Sequence, residues 1–599
     1  MPRSLLALIA VLAVAAPAAA QAPKPEAKVG PVSFNAWRFP GKLPAPGEDD
    51  DGPLAPRSTA VSTTLPPLVL QSSYVGRKAA EPTMGVDRMG NAFYAASDFD
   101  GTGGTTARTE VYRSTDGAVT WQEKSPNAGG AVDYPPTTLD PYVYTDQRTD
   151  RTYSIDLEGL AGSFLAYTDD QGETWAASAM SAPGANDHQT FFTGPPPVEN
   201  PLLVPSLNDW PTIAYYCVNA LSHVGCSLSN DGGMTFQELP SQPYVGCVGC
   251  QTGHGVVDSE GRVFLPRGGV PGTGETGPAQ IAISENAGQS WETVDVGAGV
   301  IPDSRHTAVA VDSEDNVYYV WYDSTFQLPW LSVSKDHGRS WGAPLMVAPP
   351  GVADANFPMV AAGEPGKVAI SFPGSSVDDP ADASRPWHAW VVVTNNALDE
   401  APVFHAAIGD DGKDPLHRGT CNNRCAGMFD FIDLQVSPKD GTVFGTFTDT
   451  CTAANKCTTL REAKLATDAQ GVAVRTISGP RLIDGPTAPG ALAPVAAGPA
   501  GPGGPTPSAP AAADRVKPRV LKLKVSRRTV SWKLSERASA RLQVKRGKKT
   551  VASFQTGRPG LTGSFRLKGL KRGRYRLTFG VTDPAGNRSR PVKRTLRLR

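Results

Sequence analysis

The sequence predicts an all-β protein built from small sheets that repeat along the chain, followed by a second, smaller all-β domain. Two observations carry this prediction. One eight-residue motif occurs five times, at intervals of 50 to 61 residues. The chain also contains 62 glycines and 55 prolines, which suits many short strands joined by turns. At 599 residues it is too long for one ordinary domain.

The repeated motif has a fixed order of residue types. It reads Ser or Thr, any residue, Asp or Asn, any residue, Gly, any residue, Ser or Thr, and finally Trp or Phe. Ala118 replaces the glycine in the first copy. The five copies occupy residues 114–121, 168–175, 229–236, 284–291 and 334–341.

Each copy predicts a hairpin that is locked by its own side chains. A short carboxylate accepts backbone N–H groups within its turn, and glycine supplies a positive φ. The last residue begins the next strand and buries a large ring between sheets. We therefore expect a structural role for the third residue of each copy, which is Asp116, Asp170, Asp231, Asn286 or Asp336.

The motif resembles the Asp-box, or BNR, repeat of the sialidase-like β-propellers. The resemblance implies that residues 58–484 form a β-propeller. Strand patterns divide this range into seven blades, with six as the alternative. Two of the seven units lack a good motif, and the last carries a worn copy at 467–471.

The remaining segments are distinguished by composition and charge. We expect a secretory signal peptide, a Pro-rich acidic arm, a Pro/Ala/Gly linker and a basic C-terminal domain. Residues 516–599 contain 26 Lys and Arg and two acids, a net charge of +24, which leaves −25 for the rest of the chain. In order, these four segments are 1–20, 21–57, 485–515 and 516–599.

The C-terminal domain has strands with basic outer positions. Its segment 581–587, which reads VTDPAGN, resembles the last hairpin of bacterial immunoglobulin-like or fibronectin-like modules. This resemblance implies a β-sandwich. Its charge predicts attraction to an anionic cell-surface polymer, with docking on the acidic propeller as the alternative. We expect no specific nucleic-acid recognition, because no stacking-aromatic motif is present.

Eight cysteines follow the signal segment, and an even number in an exported protein favours disulfide bonds. Zinc at Cys247, Cys250 and His254 is the alternative for one of the close pairs. The disulfide candidates are Cys217, Cys226, Cys247, Cys250, Cys421, Cys425, Cys451 and Cys457.

In propellers the first strand of each blade lines the central channel, so the residues that precede these strands converge at one end. We call this end of the channel the mouth, and it is where a propeller binds its ligand. The alternative is that the same side chains only contact water in the channel. We select Asp187 as the candidate acid/base, and Arg305 and Arg77 as candidate anion ligands. The other candidate ligand-binding residues are Glu81, Asp140, His188, His254, His306, Asn356 and Asp430.

The family resemblance also implies the groups that a sialidase requires. These are three arginines that bind the substrate carboxylate, an Asp that acts as acid/base, and a Tyr nucleophile that a Glu activates. Residues 37–40, which read WRFP, resemble the family's aromatic-Arg-Ile-Pro motif and point to Arg38. Residues 432–477 contain no tyrosine to serve as the nucleophile. We therefore expect a secreted, extracellular protein that binds carbohydrate. An exo-sialidase-like glycoside hydrolase is the alternative, and whether the protein is an enzyme stays open.

We expect no cofactor, because the sequence contains no recognised metal or phosphate motif. Residues 98–101 and 410–412 are turn sequences for which calcium binding is the alternative. We also expect a monomer without a transmembrane segment, because no apolar stretch reaches membrane length.

Overall fold

The structure is a computed structural model, and each statement below concerns the residues that it describes. Every regular element among these residues is a β-strand. The chain divides into two compact units, Met1–Gly498 and Pro499–Arg599. The described residues are 30–39, 58–75, 79–98, 108–126, 140–158, 162–178, 182–183, 187–198, 204, 207, 209–220, 223–247, 250–267, 277–301, 307–377, 379, 382, 384–419, 432–450, 469–484, 517, 519–526, 529–547, 549–555, 560–567, 570–582 and 588–598.

The strands are numbered in chain order. Four precede the first repeat: β1 (Val32–Asn35), β2 (Trp37–Arg38), β3 (Thr59–Ala60) and β4 (Val69–Val75). The next seventeen are β5 (Ala79–Val86), β6 (Ala92–Asp98), β7 (Arg108–Ser114), β8 (Gln122–Glu123), β9 (Pro141–Thr145), β10 (Thr152–Glu158), β11 (Gly162–Thr168), β12 (Ala176–Ala177), β13 (Ala182–Pro183), β14 (Asp187–Gly194), β15 (Ile213–Asn219), β16 (Val224–Ser229), β17 (Gln237–Glu238), β18 (Val256–Val257), β19 (Val263–Pro266), β20 (Gly277–Ser284) and β21 (Glu292–Ile301).

The remaining strands of the first unit are β22 (Thr307–Val311), β23 (Val317–Asp323), β24 (Leu328–Ser334), β25 (Leu345–Met346), β26 (Asp354–Ala355), β27 (Met359–Ala362), β28 (Val368–Ser375), β29 (Pro386–Thr394), β30 (Val403–Ile408), β31 (His417–Arg418), β32 (Leu434–Val436), β33 (Val443–Asp449) and β34 (Gln470–Ser478). The second unit contains β35 (Val520–Ser526), β36 (Thr529–Arg546), β37 (Lys549–Gln555), β38 (Gly560–Arg566), β39 (Gly573–Thr582) and β40 (Val592–Leu598).

The described strands of the first unit form seven antiparallel sheets, each built mainly from consecutive strands. The first strand of each sheet contacts the first strand of the next, with β27 in that position in sheet 6, and β32 contacts β5, so the sheets follow one another in cyclic order. The sheets are sheet 1 (β5–β8), sheet 2 (β9–β13), sheet 3 (β14–β17), sheet 4 (β18–β21), sheet 5 (β22–β25 with β2), sheet 6 (β26–β31 with β1 and β3) and sheet 7 (β32–β34 with β4).

Three sheets are completed by N-terminal strands. β4 is the fourth strand of sheet 7, where it pairs with β34. β1 pairs with β30 and extends sheet 6, and β2 pairs with β25 and extends sheet 5. Residues 32–35 and 37–38 of the predicted acidic arm are therefore strands of these sheets, with β1 between β30 and β3 and β2 outermost in sheet 5. In the worn motif copy, residues 467 and 468 lie outside the described residues, and Gln470 and Gly471 begin β34.

The five motif copies share one hydrogen-bond pattern, and we call them the boxed hairpins. The third residue's side-chain oxygen accepts from the first residue's hydroxyl and from the backbone N–H of the seventh. The first residue's hydroxyl accepts the backbone N–H of the fifth. Ala118, in the glycine position, adopts φ +63°, so it keeps the backbone shape at a steric cost. The predicted hairpin lock is confirmed.

Two of the rings that end the boxed hairpins contact the preceding sheet. Trp175 is buried, and its indole N–H donates to Lys124 O of the segment after sheet 1 at 2.8 Å. Trp121 donates to the Ser73 hydroxyl on β4, which joins the first sheet to the seventh. The other three rings, Phe236, Trp291 and Trp341, are half-buried like Trp121. These contacts agree with the predicted position between sheets, although only Trp175 is fully buried.

The carboxylates of the boxed hairpins predict acid sensitivity. Hydrogen bonds from the hydroxyl and N–H of Thr120 lower the pKa of Asp116. A depressed native pKa stabilises the fold above the unfolded value of about 4, and this contribution is lost as pH falls through the native pKa. Asp116→Asn copies the natural Asn286 and removes the titrating group. We expect its urea midpoint to fall less than that of the parent between pH 5 and pH 2. Equal acid loss in both proteins would contradict this role.

The second unit is organised around the long strand β36. Its first part pairs with β35 and β38, and its second part pairs with β37 and β39. Trp532 packs between Phe565 and Phe579, with ring centroids 4.7 and 5.1 Å away. The unit therefore has a hydrophobic core of its own.

Two of the predicted cysteine pairs form disulfide bonds. Cys217 and Cys226 face each other across β15 and β16, with an S–S distance of 2.10 Å. Cys247 bonds to Cys250, which is the disulfide alternative for this pair. The other candidates, Cys421, Cys425, Cys451 and Cys457, lie outside the described residues.

A search of the described residues finds no helix with the length and apolar character that crossing a membrane requires.

Candidate functional site

The boxed hairpins and the starts of the first strands lie at opposite ends of each sheet. In sheet 1, Ala92 pairs with Val86 at the end of β5 and with Ser114 at the end of β7, where the boxed hairpin begins. Ala79, at the start of β5, pairs with Asp98 at the other end of the sheet. We call the end where the first strands begin the mouth edge. The predicted binding residues belong to this edge, and the boxed hairpins lie away from it.

Six of the predicted site residues are described, and all six are near the starts of first strands. Asp187, the candidate acid/base, is half-buried and faces Asn219 across β14 and β15. Asp187 is the one member of the predicted catalytic set that the described part of the chain includes. Arg77, Arg305, His306 and Asp430 lie outside the described residues.

The backbone at the mouth edge is strained in three sheets at equivalent places. Glu81, His188 and Phe357 have φ values of +53°, +57° and +43°, which non-glycine residues rarely adopt. The ladders of β5 and β14 shift register beside the first two. Such strain persists where the surrounding structure enforces it, and it concentrates at binding and active sites.

Two of the predicted residues are connected by a hydrogen bond between sheets 2 and 3. The Asp140 carboxylate accepts the backbone N–H of His188 at 2.9 Å, and the Gln189 amide donates to Asp140 O at 2.5 Å. These residues are buried. Asn356 is also fully buried, and its side-chain oxygen accepts the Phe357 N–H at 3.0 Å. Asp140 and Asn356 thus hold the strained segments in place.

A cluster that joins three sheets lies among the first strands. His254 of sheet 4 lies with Nδ1 3.5 Å from an Asp433 carboxylate oxygen of sheet 7. The Tyr142 ring of sheet 2 lies beside the imidazole, with ring centroids 5.4 Å apart. We call Tyr142, His254 and Asp433 the central cluster. His254 keeps 18% of its side chain exposed, whereas Asp433 keeps 2%.

Asp433 is held firmly by its neighbours. Its carboxylate accepts the backbone N–H groups of Met84 and Leu434 at 2.8 and 2.7 Å. The Gln435 amide approaches both carboxylate oxygens, at 3.2 and 3.3 Å. Burial raises the pKa of the Tyr142 phenol, and the charge of Asp433 raises it further. The cluster is therefore a fixed acceptor group with an adjacent neutral phenol.

A glycine permits His254 to lie this close to the next sheet. A Cβ at Gly253 would lie 1.6 Å from Thr307 O, so any larger residue would push this segment away from sheet 5. Sequence reasoning selected His254 but missed Tyr142 and Asp433. The signal that could have found them was the alignment of the first strands, because Tyr142 lies in β9 and Asp433 directly precedes β32.

A second buried polar group lies near the mouth edge of sheet 6. The Arg385 guanidinium pairs with the Asp354 carboxylate and lies 4.7 Å over the Trp387 ring. Both charged side chains are less than 8% exposed. The Tyr322 hydroxyl approaches the same carboxylate at 3.5 Å. We call Arg385 and Asp354 the buried ion pair.

The predicted calcium alternative at 410–412 involves a carboxylate with protein partners. Asp410 accepts the Ala389 N–H at 2.8 Å, and its other oxygen lies 2.9 Å from His388 Nδ1. Burial raises the pKa of Asp410, and the His388 contact opposes that rise.

Another set of metal-type ligands among the described residues is Asp258, Asp315 and His337. There the Arg262 guanidinium contacts both Asp258 and His337, at 2.9 and 3.1 Å.

Arg38, which the family resemblance proposed as a substrate-binding arginine, lies at the outer edge of the ring. It belongs to β2 and donates to the backbone oxygens of Ala343 and Glu400, both at 3.1 Å. β2 is the outermost strand of sheet 5, and β22 at its other edge is the first strand. The WRFP segment therefore does not supply a mouth-edge arginine.

Comparisons with known proteins give distant structural likenesses. No protein-family model matches the chain, and no curated protein matches it. A protein of unknown function from Dyadobacter fermentans is 15% identical with a TM-score of 0.34, covering 57% of this chain and 98% of that one. The intramolecular trans-sialidase from Ruminococcus gnavus is 12% identical with a TM-score of 0.35, covering 67% and 96%. The Aleuria aurantia lectin is 10% identical with a TM-score of 0.36, covering 56% and 99%. At these values the chain is similar to these proteins without sharing a demonstrated family, and we transfer no residue role from them.

Proposed function

We propose that the first unit is a seven-bladed β-propeller that binds extracellular carbohydrate at its mouth edge, in a protein exported by the signal segment 1–20. The cyclic order of seven sheets supports the blade number over the alternative of six. The observation that carries the binding proposal is the central cluster, which draws His254, Asp433 and Tyr142 from three sheets.

The chemistry of the central cluster suits a sugar. Carboxylate and imidazole groups accept hydrogen bonds from sugar hydroxyls, and an aromatic ring offers an apolar face. Concave ligand sites characteristically combine a few fixed polar groups with such surfaces. The partial exposure of His254 provides the contact point, while the buried Asp433 fixes the imidazole orientation.

Binding is favoured over hydrolysis by two placements. Asp433 keeps only 2% of its side chain exposed and already accepts two backbone N–H groups, so little of its carboxylate is open to a substrate. Arg38 lies at the outer edge of sheet 5, away from the first strands that bear the central cluster. A sialidase-like hydrolase is the alternative, and one experiment distinguishes the two.

We expect His254→Gln and Tyr142→Leu to weaken glycan binding by about tenfold or more, because the first removes a directed polar contact worth about 1.5 kcal/mol and the second removes the aromatic face. The measurement is a glycan array with the full-length protein, followed by affinity determination and hydrolysis assays on the glycans bound. Arg38→Gln is the matched control and should bind normally. Glycan hydrolysis that requires Arg38 would establish the sialidase-like alternative. Unchanged binding in both cluster variants would remove the central cluster as the site.

A further inference from the structure

One face of the second unit carries six cations on three adjacent strands. On β39, Tyr575 and Leu577 are buried while Arg574 and Arg576 between them are exposed, so alternate residues face outward. The same alternation holds on β40, where Leu596 and Leu598 are buried and Arg597 is exposed. We call the outward-facing residues of this surface the basic sheet face: Arg541, Lys545, Arg574, Arg576, Lys593 and Arg597.

Like charges on this face are directly opposed. Lys545 on β36 faces Arg576 on β39, and Arg574 faces Arg597 on β40. Like charges opposite one another destabilise a sheet. The only acidic residues between 516 and 599 are Glu536 and Asp583, so the domain's own sequence offers little compensation. An anion that bridges these cations would relieve the repulsion, and the repulsion therefore points to a ligand.

The spread of the cations indicates a polymer. Neighbouring strands lie about 4.8 Å apart, and outward positions along one strand repeat at about 6.8 Å. A single small anion cannot reach all three strands, whereas a chain with a repeating negative charge can cross them. Arginine, which supplies four of the six cations, matches carboxylate and sulfate groups with two parallel hydrogen bonds.

The aromatic residues of the unit argue against single-stranded nucleic acid as the ligand. Single-stranded nucleic acid is held by bases stacked on exposed aromatic rings. Among the described residues of this unit, the rings of Trp532, Phe565, Tyr575 and Phe579 are all buried in the core, and Phe554 is half-buried against it. The basic sheet face thus offers charge without a stacking platform.

We propose that the basic sheet face binds a linear acidic polysaccharide. This site is separate from the mouth edge and uses different chemistry, since it recognises charge on a polymer and the central cluster recognises hydroxyl groups. The protein would thereby be retained on an acidic matrix through its second unit. Because no residue is shared, the failure of one proposal leaves the other intact.

The test compares two triple variants of the full-length protein that lose the same charge. Lys545→Gln, Arg576→Gln and Arg597→Gln together remove half of the basic sheet face. The control carries Lys517→Gln, Lys524→Gln and Arg566→Gln, which are exposed in the other half of the unit and do not face another cation across a strand pair. Binding is measured to heparin as the sulfated probe, polygalacturonate as the carboxylated probe and duplex DNA, over a range of salt concentrations.

We expect the first variant to bind both polysaccharides about tenfold or more weakly at low salt, since three of the six cations of the basic sheet face are lost. The control should lose less than threefold, and salt should weaken binding of the parent. The thermal midpoint of the first variant should stay the same or rise, because opposed like charges have been removed. That readout separates a lost ligand contact from a lost fold.

Three outcomes would overturn the proposal. Equal losses in the two variants would show that net charge, not this face, governs attraction. Tighter binding of DNA than of either polysaccharide would assign the face to nucleic acid. No binding of the parent protein to the polysaccharides at low salt would leave docking on the protein's own acidic unit as the role of the charge.

Discussion

Replacing Trp175 by alanine is expected to destabilise the first unit by about 3–5 kcal/mol, the range for removing a buried tryptophan. The ring keeps only 7% of its surface exposed and packs in one cluster with Phe93 and Val143. Its indole N–H also donates to Lys124 O, and that acceptor would be left without its partner. The predicted loss therefore combines a cavity between sheets 1 and 2 with one unsatisfied carbonyl.

The measurement is the unfolding midpoint of the first unit in urea. Two variants calibrate the effect. Trp175→Phe keeps an aromatic ring and loses the N–H, so it should cost less than the alanine variant. Trp121→Ala removes an equivalent but half-buried ring and should also cost less. A loss below about 1 kcal/mol for Trp175→Ala would mean that the ring does not fasten the two sheets.

Breaking the buried ion pair from one side is the second large effect that we expect. Arg385→Met leaves the Asp354 carboxylate buried without its guanidinium, which typically costs about 3–5 kcal/mol. Asp354→Asn leaves the buried guanidinium uncompensated and should be similarly costly. The double variant restores neutrality, so its cost should be smaller than the sum of the two single costs.

A double-mutant cycle on the unfolding free energy measures the coupling between Arg385 and Asp354. The matched control is the exposed ion pair of Arg88 and Asp150, in which a guanidinium nitrogen lies 2.8 Å from a carboxylate oxygen. The two side chains keep 46% and 30% of their surface exposed. Arg88→Met should cost less than about 1 kcal/mol, because exposed pairs are screened by water. If the losses of unfolding free energy in the two single variants add up to the loss in the double variant, the contact between Arg385 and Asp354 contributes no interaction energy to stability.

Local sequence patterns predicted the local structure well. The boxed hairpins form the hydrogen bonds that their residue types predict. Their information lies within eight residues, so no distant contact is needed to determine the turn.

A second local motif, in which an Asp side chain accepts backbone N–H groups of its own turn, was overlooked. Asp87, Asp146, Asp258 and Asp312 each accept backbone N–H groups in the turn after a first strand.

Contacts between distant residues escaped the sequence reasoning. Asp433 meets Met84 only because the ring brings sheet 7 beside sheet 1. Neither residue has a neighbour in sequence that signals the other. The same reason explains Arg38, whose segment resembles a binding motif but pairs with β25 at the outer edge of sheet 5. A short motif identifies residue types, whereas the pairing of strands decides which end of a sheet they reach.

The pairing of β4 with β34 has a consequence for how the protein is made. β4 (Val69–Val75) pairs with β34 (Gln470–Ser478). Roughly 400 residues must therefore be synthesised after β4 before it can pair as the outer strand of sheet 7. At about 5–20 residues per second this takes about 20–80 s. Throughout that time the hydrogen-bonding groups of β4 have no sheet partner and present an edge to other chains. Completion of the ring thus comes late in biosynthesis, once residue 478 of 599 has been made, and the nascent chain needs protection until its two distant segments join.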